Sequence, residues 1–255
     1  MEWTDDAIVL SSRPYADSAA LASLLTREHG RHAGLVHGGR SSRIRPVVEP
    51  GTVVRATWKA RLADQLGHYS LEPVRSGAAL LLDDPLRLGA LVAACALVDA
   101  VLPEREPHAS LYDGMVALLD SFESPFWAEV YVRWEVGLLE VGGFGLDLTR
   151  CAATGLEAQG AQGANDYLAY VSPRTGRAVS LTAGEPFRDK LLRLPSFLLG
   201  QSAGGPEEVL AGLTLTGHFL ERHLFAQRHA EMPPARTRFV ERYTRIHTRS
   251  GTTPA

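Results

Sequence analysis

The hydrophobic periodicity of this chain changes once, at Asp83-Asp84-Pro85, and that change limits the folds open to it. Upstream, apolar runs are short and stop at turn residues: Ala7–Leu10 runs into Ser11-Ser12-Arg13-Pro14, and Ala33–Val36 into Gly38-Gly39. Short β-prone runs bounded by Gly and Pro read as strands. The proline at 14 fixes φ and lacks an N–H, so the first strand is expected to stop or bend there. The clearest strand is Thr52–Arg61, where Thr, Val and Trp are β-formers; its odd positions from 53 read Val, Arg, Thr, Lys, Arg, a largely cationic face, and Trp58 falls on the apolar side. Tyr69–Val74 gives one more strand. Asp17–Thr26, DSAALASLLT, stays open between helix, by its alanines and leucines, and strand, by its length. Short strands joined by glycine turns suggest a small closed barrel.

Downstream of the change, Asp84 before Pro85 is a helix start, and Leu86, Ala90, Ala93, Ala94, Leu97 and Val101 recur at helical spacing. Ser110–Phe122 and Phe126–Val141 read as two further amphipathic helices; Trp127, Tyr131, Trp134 and Leu138 form a core stripe on the second. Residues 151–184 read as loop-rich, helix resumes near Glu185 and from Pro206 to His229, and Ala235–His247 carries arginines at helical spacing. The expectation is an α+β chain of two domains: a small N-terminal β-barrel over 1–78 and an all-α helical domain over 79–250. The length of 255 residues suits two such cores.

Charge is segregated. The net charge of −3 divides into +2 over residues 1–75, −8 over 76–150, −2 over 151–221 and +5 over 222–255. A basic front and a basic tail around an acidic middle suit a chain that binds a polyanion. The same pattern leaves open whether the acidic helices (Asp113, Asp120, Glu123, Glu129) mask such a site or dock a basic partner. The densest cluster is Thr26–Pro46, with Arg27, Arg31, Arg40, Arg43 and Arg45 against the one carboxylate of Glu28, and a glycine pair before the last three arginines. Guanidinium forks match phosphate oxygens, and a glycine turn lets a polyanion approach the backbone. The candidate DNA-binding residues are therefore Arg31, Arg40, Arg43 and Arg45, with Arg55, Lys59 and Arg61 along the cationic strand face. Tyr15, Trp58 and Tyr69 are the aromatics at hand for base stacking.

Two chemistries lack their motifs: no G-x-x-x-x-G-K-[ST] or H-E-x-x-H occurs, and the expectation is a chain without catalysis and without a cofactor. Two cysteines, Cys95 and Cys151, make no disulfide framework, and no apolar run reaches the length of a membrane span. The acidic start, MEWTDD, is unlike a secretory signal, so a cytoplasmic protein is expected.

Two stretches carry a resemblance. The first is AIVLSSRPYADS followed by LLTREHGRHAGLVHGGRSS, with Val9, Leu10, Arg13, Tyr15, Thr26, Gly30, Gly38 and Arg40 at the matching positions. The second is DLTRCAATG with LAYVSPRTGRAVSLTAGEPFRDKLLRLPSFL. Together, over about residues 7–245, they resemble the RecO family of bacterial recombination mediators. The resemblance implies an OB barrel followed by a helical domain, binding of single- and double-stranded DNA, and annealing of complementary strands. It also implies contact with the tail of single-strand-binding protein, a RecR partner, and through it help in loading the RecA recombinase in DNA repair. Some members carry zinc on two Cys-x-x-Cys pairs; here those positions read Cys151-x-x-Thr154 and Ser180-x-x-Ala183, and one thiolate does not make a zinc site. For an acidic tail ending in Phe, Arg133, Arg222 and Arg228 are the candidate receptors. The alternative from another class is a protein-interaction adaptor whose barrel serves a protein partner.

Overall fold

The computed structural model describes residues 1–15, 17–62, 64–157, 166–201 and 204–249. Five strands come first: β1 (Glu2–Tyr15), β2 (Ala19–Thr26), β3 (Gly30–Val36), β4 (Thr52–Lys59) and β5 (His68–Ser76). Each pairs with two neighbours, so the order β1-β2-β3-β5-β4 closes a barrel. The long β1 makes closure possible. Its first half, Glu2–Ile8, pairs with β4, and its second half, Ala7–Tyr15, pairs with β2 across a bulge between Val9 and Ser11. The seam between β3 and β5 is short and parallel, at Leu35–His68 and Val36–Tyr69.

Two sequence expectations change here. β1 does not end at Pro14: beyond Ile8 the strand has its neighbour on the β2 side alone, where a missing N–H costs little. The open DSAALASLLT stretch is strand β2, nearly all of it buried. Ala22 and Leu24 face the barrel core with Ala7, Val9, Val36, Val54, Ala56, Trp58 and Tyr69. The other face of β2 lies against the helix that follows the barrel. A strand covered on both faces reads as a continuous apolar run, which overrides the helical leaning of Ala and Leu.

That helix is α2 (Pro85–Val101), reached through the single turn α1 (Gly77–Leu80). The Asp84 carboxylate accepts from the N–H groups of Leu86 and Arg87 at 3.0 and 3.1 Å, the cap expected from the Asp-Pro pair. Asp99, near its other end, receives the hydroxyls of Ser11 at 2.8 Å and Ser23 at 2.6 Å, which fixes α2 across β1 and β2. Helix α3 (Ala109–Ser121) meets the barrel through ion pairs, Arg27 with Asp113 at 2.8 Å and Arg75 with Asp120 at 2.6 Å. Two of the acids in the −8 segment thus hold barrel arginines.

By compactness the chain divides into two units, Met1–Asp120 with Pro233–Phe239 and Ser121–Met232 with Val240–Ala255. The second unit is built on α4 (Trp127–Val141), whose stripe of Trp127, Tyr131, Trp134 and Leu138 is buried as the periodicity indicated. The stretch 151–184, read as loop, carries β6 (Leu168–Val171), β7 (Ala178–Ser180) and the short helix α5 (Leu181–Gly184). With β8 (Leu192–Arg193) they form a three-stranded sheet in the order β7-β6-β8. Strands of two to four residues are too short to show a period of two in sequence. The expectation for 158–165 lies outside the described residues. Helix α6 (Gly205–Phe219) runs on through a π turn, Leu220–Phe225, and packs on α4, where the Thr216 hydroxyl donates to the buried Glu135 carboxylate. Helix α7 (Pro234–Arg249) ends the described chain.

Candidate nucleic-acid interface

At one end of the barrel, β1 runs out, β2 begins and β3 ends, so the glycine turn after Val36 folds onto the β1–β2 connection. The Arg40 N–H donates to the Ser18 carbonyl at 3.3 Å and its guanidinium to the Asp17 carbonyl at 3.1 Å. Gly38 has a φ of +65°, and a Cβ on Gly39 would stand 2.6 Å from the Ala20 Cβ, so the turn needs both glycines to lie this close. After it, Ile44, Val47 and Val48 pack on the barrel core, while Arg43 and Arg45 between and beside them are exposed. The spacing R-I-R-P-V-V is therefore an anchor with cations directed outward. Arg13 and Tyr15, exposed on the adjoining end of β1, extend the same surface; Tyr15 is 47% exposed.

Around the seam, Arg61 and Lys59 line an open groove of about 630 Å³ with Met1, Gln65, Gly67 and His68. The Met1 ammonium is bound there to the Ala60 carbonyl at 2.6 Å. Gly67 has a φ of +64°, and a Cβ on it would meet the Trp58 indole nitrogen at 2.4 Å. His68 stacks on His37 with ring centroids 4.6 Å apart. His37 directly precedes Gly38, so the stacked pair joins the groove to the arginine turn.

The cationic face expected along β4 is not cationic in net charge. Arg55 donates to Asp6 at 2.7 Å, Lys59 pairs with Glu2 at 2.8 Å, and Arg55 faces Glu72 across β5. The hydrogen bond it donates to Asp6, with the charge of that carboxylate, raises the Arg55 pKa further above its ordinary value. The signal lay in the sequences of β1 and β5, but only the register shows which acids stand beside which bases.

Arg31 lies apart from the turn. Its Nε donates to the Leu102 carbonyl at 2.9 Å, with Asp99 and Glu104 at 3.4 and 3.5 Å, and its side chain is 19% exposed. It ties β3 to the end of α2. Trp58 is buried and donates from its indole to the Leu66 carbonyl at 3.0 Å, the core role its strand position indicates. Tyr69 is buried as well, its hydroxyl 3.0 Å from His32. Of the three aromatics read from sequence, Tyr15 alone is exposed. Burial, together with the nearby Arg105 charge, lowers the His32 pKa to about 4.

In the second unit Arg133 on α4 donates to the Phe197 carbonyl at 2.7 Å and lies over the Phe197 ring at 5.7 Å. Arg222, in the π turn, and Arg228, in the 3-10 turn after it, are exposed. The positions of the zinc pairs do come together: the Ser180 N–H donates to the Cys151 Sγ at 3.2 Å and the Ala183 N–H to the Ser180 hydroxyl at 3.4 Å. Burial pushes the Cys151 thiol up, but the Thr154 hydroxyl and the N–H groups of Ser180, Thr154 and Ala153 outweigh it and bring the pKa to about 7. One sulfur with a hydroxyl does not fit zinc, and among the described residues no three metal-ligating side chains converge.

Residues 1–76 match the family model described as recombination protein O N terminal, and residues 82–232 the model for its C terminal region. The chain belongs to the RecO family. It is 68% identical over 255 residues to a DNA repair protein RecO from Rhodospirillum centenum, covering 100% of both chains. A second from Rhodospirillum rubrum is 48% identical over 253 residues, 96% of this chain and 97% of the relative. A third from Cereibacter sphaeroides is 48% identical over 242 residues, 94% and 98%. Membership of the RecO family places the chain in DNA repair and recombination, with an OB-type first domain. Among the described residues no helix is long and apolar enough to cross a membrane.

Proposed function

We propose that this chain is a recombination mediator which holds nucleic-acid strands by their phosphates at the arginine-bearing end of its barrel. The observation that carries the reading is the turn at 37–48: Ile44, Val47 and Val48 fixed on the core, Arg43 and Arg45 exposed, Arg40 aligned by the Asp17 carbonyl. Arg13, Arg61 and the Lys59 groove continue it, and Tyr15 offers a face for a base. Arg55 and Lys59 contribute by exchanging a carboxylate for a phosphate; Arg31 serves the fold. Phosphate contacts carry no sequence information, so single and double strands both bind, and two strands held with their repulsion lowered are brought to anneal. The family supports a handover in which RecR and the tail of single-strand-binding protein are partners and RecA is loaded, Arg133, Arg222 and Arg228 being the receptors for the tail. The barrel and helical domains, 1–78 and 79–250, divide these tasks, and no catalytic step is needed.

A second reading, a protein-interaction adaptor, is favoured by one observation, the mixed acid–base face of β4. Fluorescence anisotropy of a labelled ~30-nucleotide strand at several salt concentrations separates the two. The mediator reading expects tight binding with a steep salt slope, shallower by about 2 in Arg40→Ala/Arg43→Ala/Arg45→Ala, at ~0.7 per phosphate contact. Absence of binding at low salt sinks it and leaves the adaptor.

A further inference from the structure

The barrel turn accounts for one basic region; the tail, with its net +5 over 222–255, is unused by it. Helix α7 gives that charge a geometry. Phe239 and Tyr243 are buried, and along the flank beside them Arg238, Arg242 and Arg245 are exposed at i, i+4 and i+7. Glu241 is the single carboxylate between Met232 and Arg249 in the sequence. Seven residues of helix advance about 10 Å, and a nucleic-acid strand presents one phosphate per ~3.4 Å of axis. Three guanidinium groups therefore span the length of about three phosphates.

We propose that this arginine row of α7 is a second phosphate-binding track, which takes the backbone of a second strand while the barrel turn holds the first. The inference rests on the mediator reading and adds to it the place of the second strand. An acidic peptide is the weaker fit: peptide tails are held by apolar anchors as well as charge, and Ile246 is the one large apolar side chain exposed on the described part of α7. Phosphates need no pocket, only a row of donors at their spacing.

The test uses the full chain loaded on a bead-bound ~30-nucleotide strand and challenged with a labelled non-complementary strand. Arg238→Gln/Arg242→Gln/Arg245→Gln is expected to keep first-strand affinity within about threefold, and to retain the second strand at least about tenfold less, with a salt slope shallower by about 2. Arg238→Lys/Arg242→Lys/Arg245→Lys, which keeps the charge, is expected to retain it. Wild-type capture of the second strand by the Gln variant overturns the proposal and leaves the barrel site standing. Equal failure of the Lys variant, or loss in the Gln variant of a Glu-rich peptide but of neither strand, overturns it too. If the wild type binds no first strand, the mediator reading fails and this inference falls with it.

Discussion

Arg31 and Arg43 sit twelve positions apart in one basic stretch, yet the structure gives them opposite surroundings, and exchanging each for methionine separates them. Arg31 donates to the Leu102 carbonyl at 2.9 Å, a group on a residue 4% exposed. Losing a charged donor to a buried acceptor costs about 2 kcal/mol. The ion pairs at 3.4 and 3.5 Å add little, since their carboxylates reach solvent. In a protein of this size that loss lowers the melting temperature by about 4–8 °C. Arg43 is exposed and, among the described residues, has no hydrogen bond or ion pair. Arg43→Met should leave the melting temperature within about 1–2 °C of wild type while making the slope of log K against log salt shallower by ~0.7. Calorimetry and anisotropy on the two variants read both effects. The reasoning is refuted if Arg31→Met keeps its stability and flattens the salt slope, because its guanidinium would then be facing phosphate and not Leu102.

Three other outcomes follow from the same geometry. Tyr15→Ser should weaken single-strand binding by about 1–3 kcal/mol with the salt slope unchanged, as expected when a stacking face and not a charge is lost; an unchanged affinity removes Tyr15 from the interface. His32, with its pKa near 4 in the fold against 6.5 in the open chain, is neutral when folded. The unfolded state binds the extra proton, so stability is whole above pH 6.5 and falls by up to about 3 kcal/mol as pH drops toward 4; denaturant melts across that window should show the slope in wild type and a flatter one in His32→Gln. Asp6→Asn releases Arg55 from its 2.7 Å partner. Binding of a single strand should tighten by a fewfold and its salt slope steepen, and an unaltered slope would show that strands do not cross β4.

How much of this was legible in sequence depended on distance along the chain. The strand-to-helix change, the Asp84 cap and the Trp127–Leu138 stripe are local patterns, and each forms where its spacing places it. The glycine turn before the arginines was legible for the same reason. Strand β2 was not, because its burial on two sides is a property of what packs over it. Nor was the extension of β1 through Pro14, which depends on β4 pairing with the first half of the strand alone. Tyr69 looked available because its short strand gives no sign of which face closes the barrel. The contributions of Met1, His37 and His68 were missed altogether; they are single residues on different strands, gathered by a seam of two residue pairs.

Density of arginine in a sequence overstates a polyanion site, because it counts charges before their partners are known. Within the first 75 residues, Arg27, Arg31, Arg55, Lys59 and Arg75 each meet a carboxylate carried by β1 or by the segment from α2 to α3. An exposed pair of this kind contributes about 0–1 kcal/mol to the fold, but it matters more to binding, since a base held by a carboxylate must give up that partner before it neutralises a phosphate and releases the counterion condensed there. Subtracting those pairs leaves Arg13, Arg40, Arg43, Arg45 and Arg61; Arg40 donates to the Asp17 carbonyl, and the other four are exposed and without an ion pair among the described residues. They come from three separate stretches of sequence. Arg13, Arg43 and Arg45 share the barrel end beside the β1–β2 connection, and Arg61 adjoins it through the stacked His37 and His68. The proposed interface therefore draws on arrangement and not on net charge, which is −3: along the barrel wall Glu2, Asp6, Asp113 and Asp120 hold Lys59, Arg55, Arg27 and Arg75, and the barrel end keeps cations that no such acid meets among the described residues.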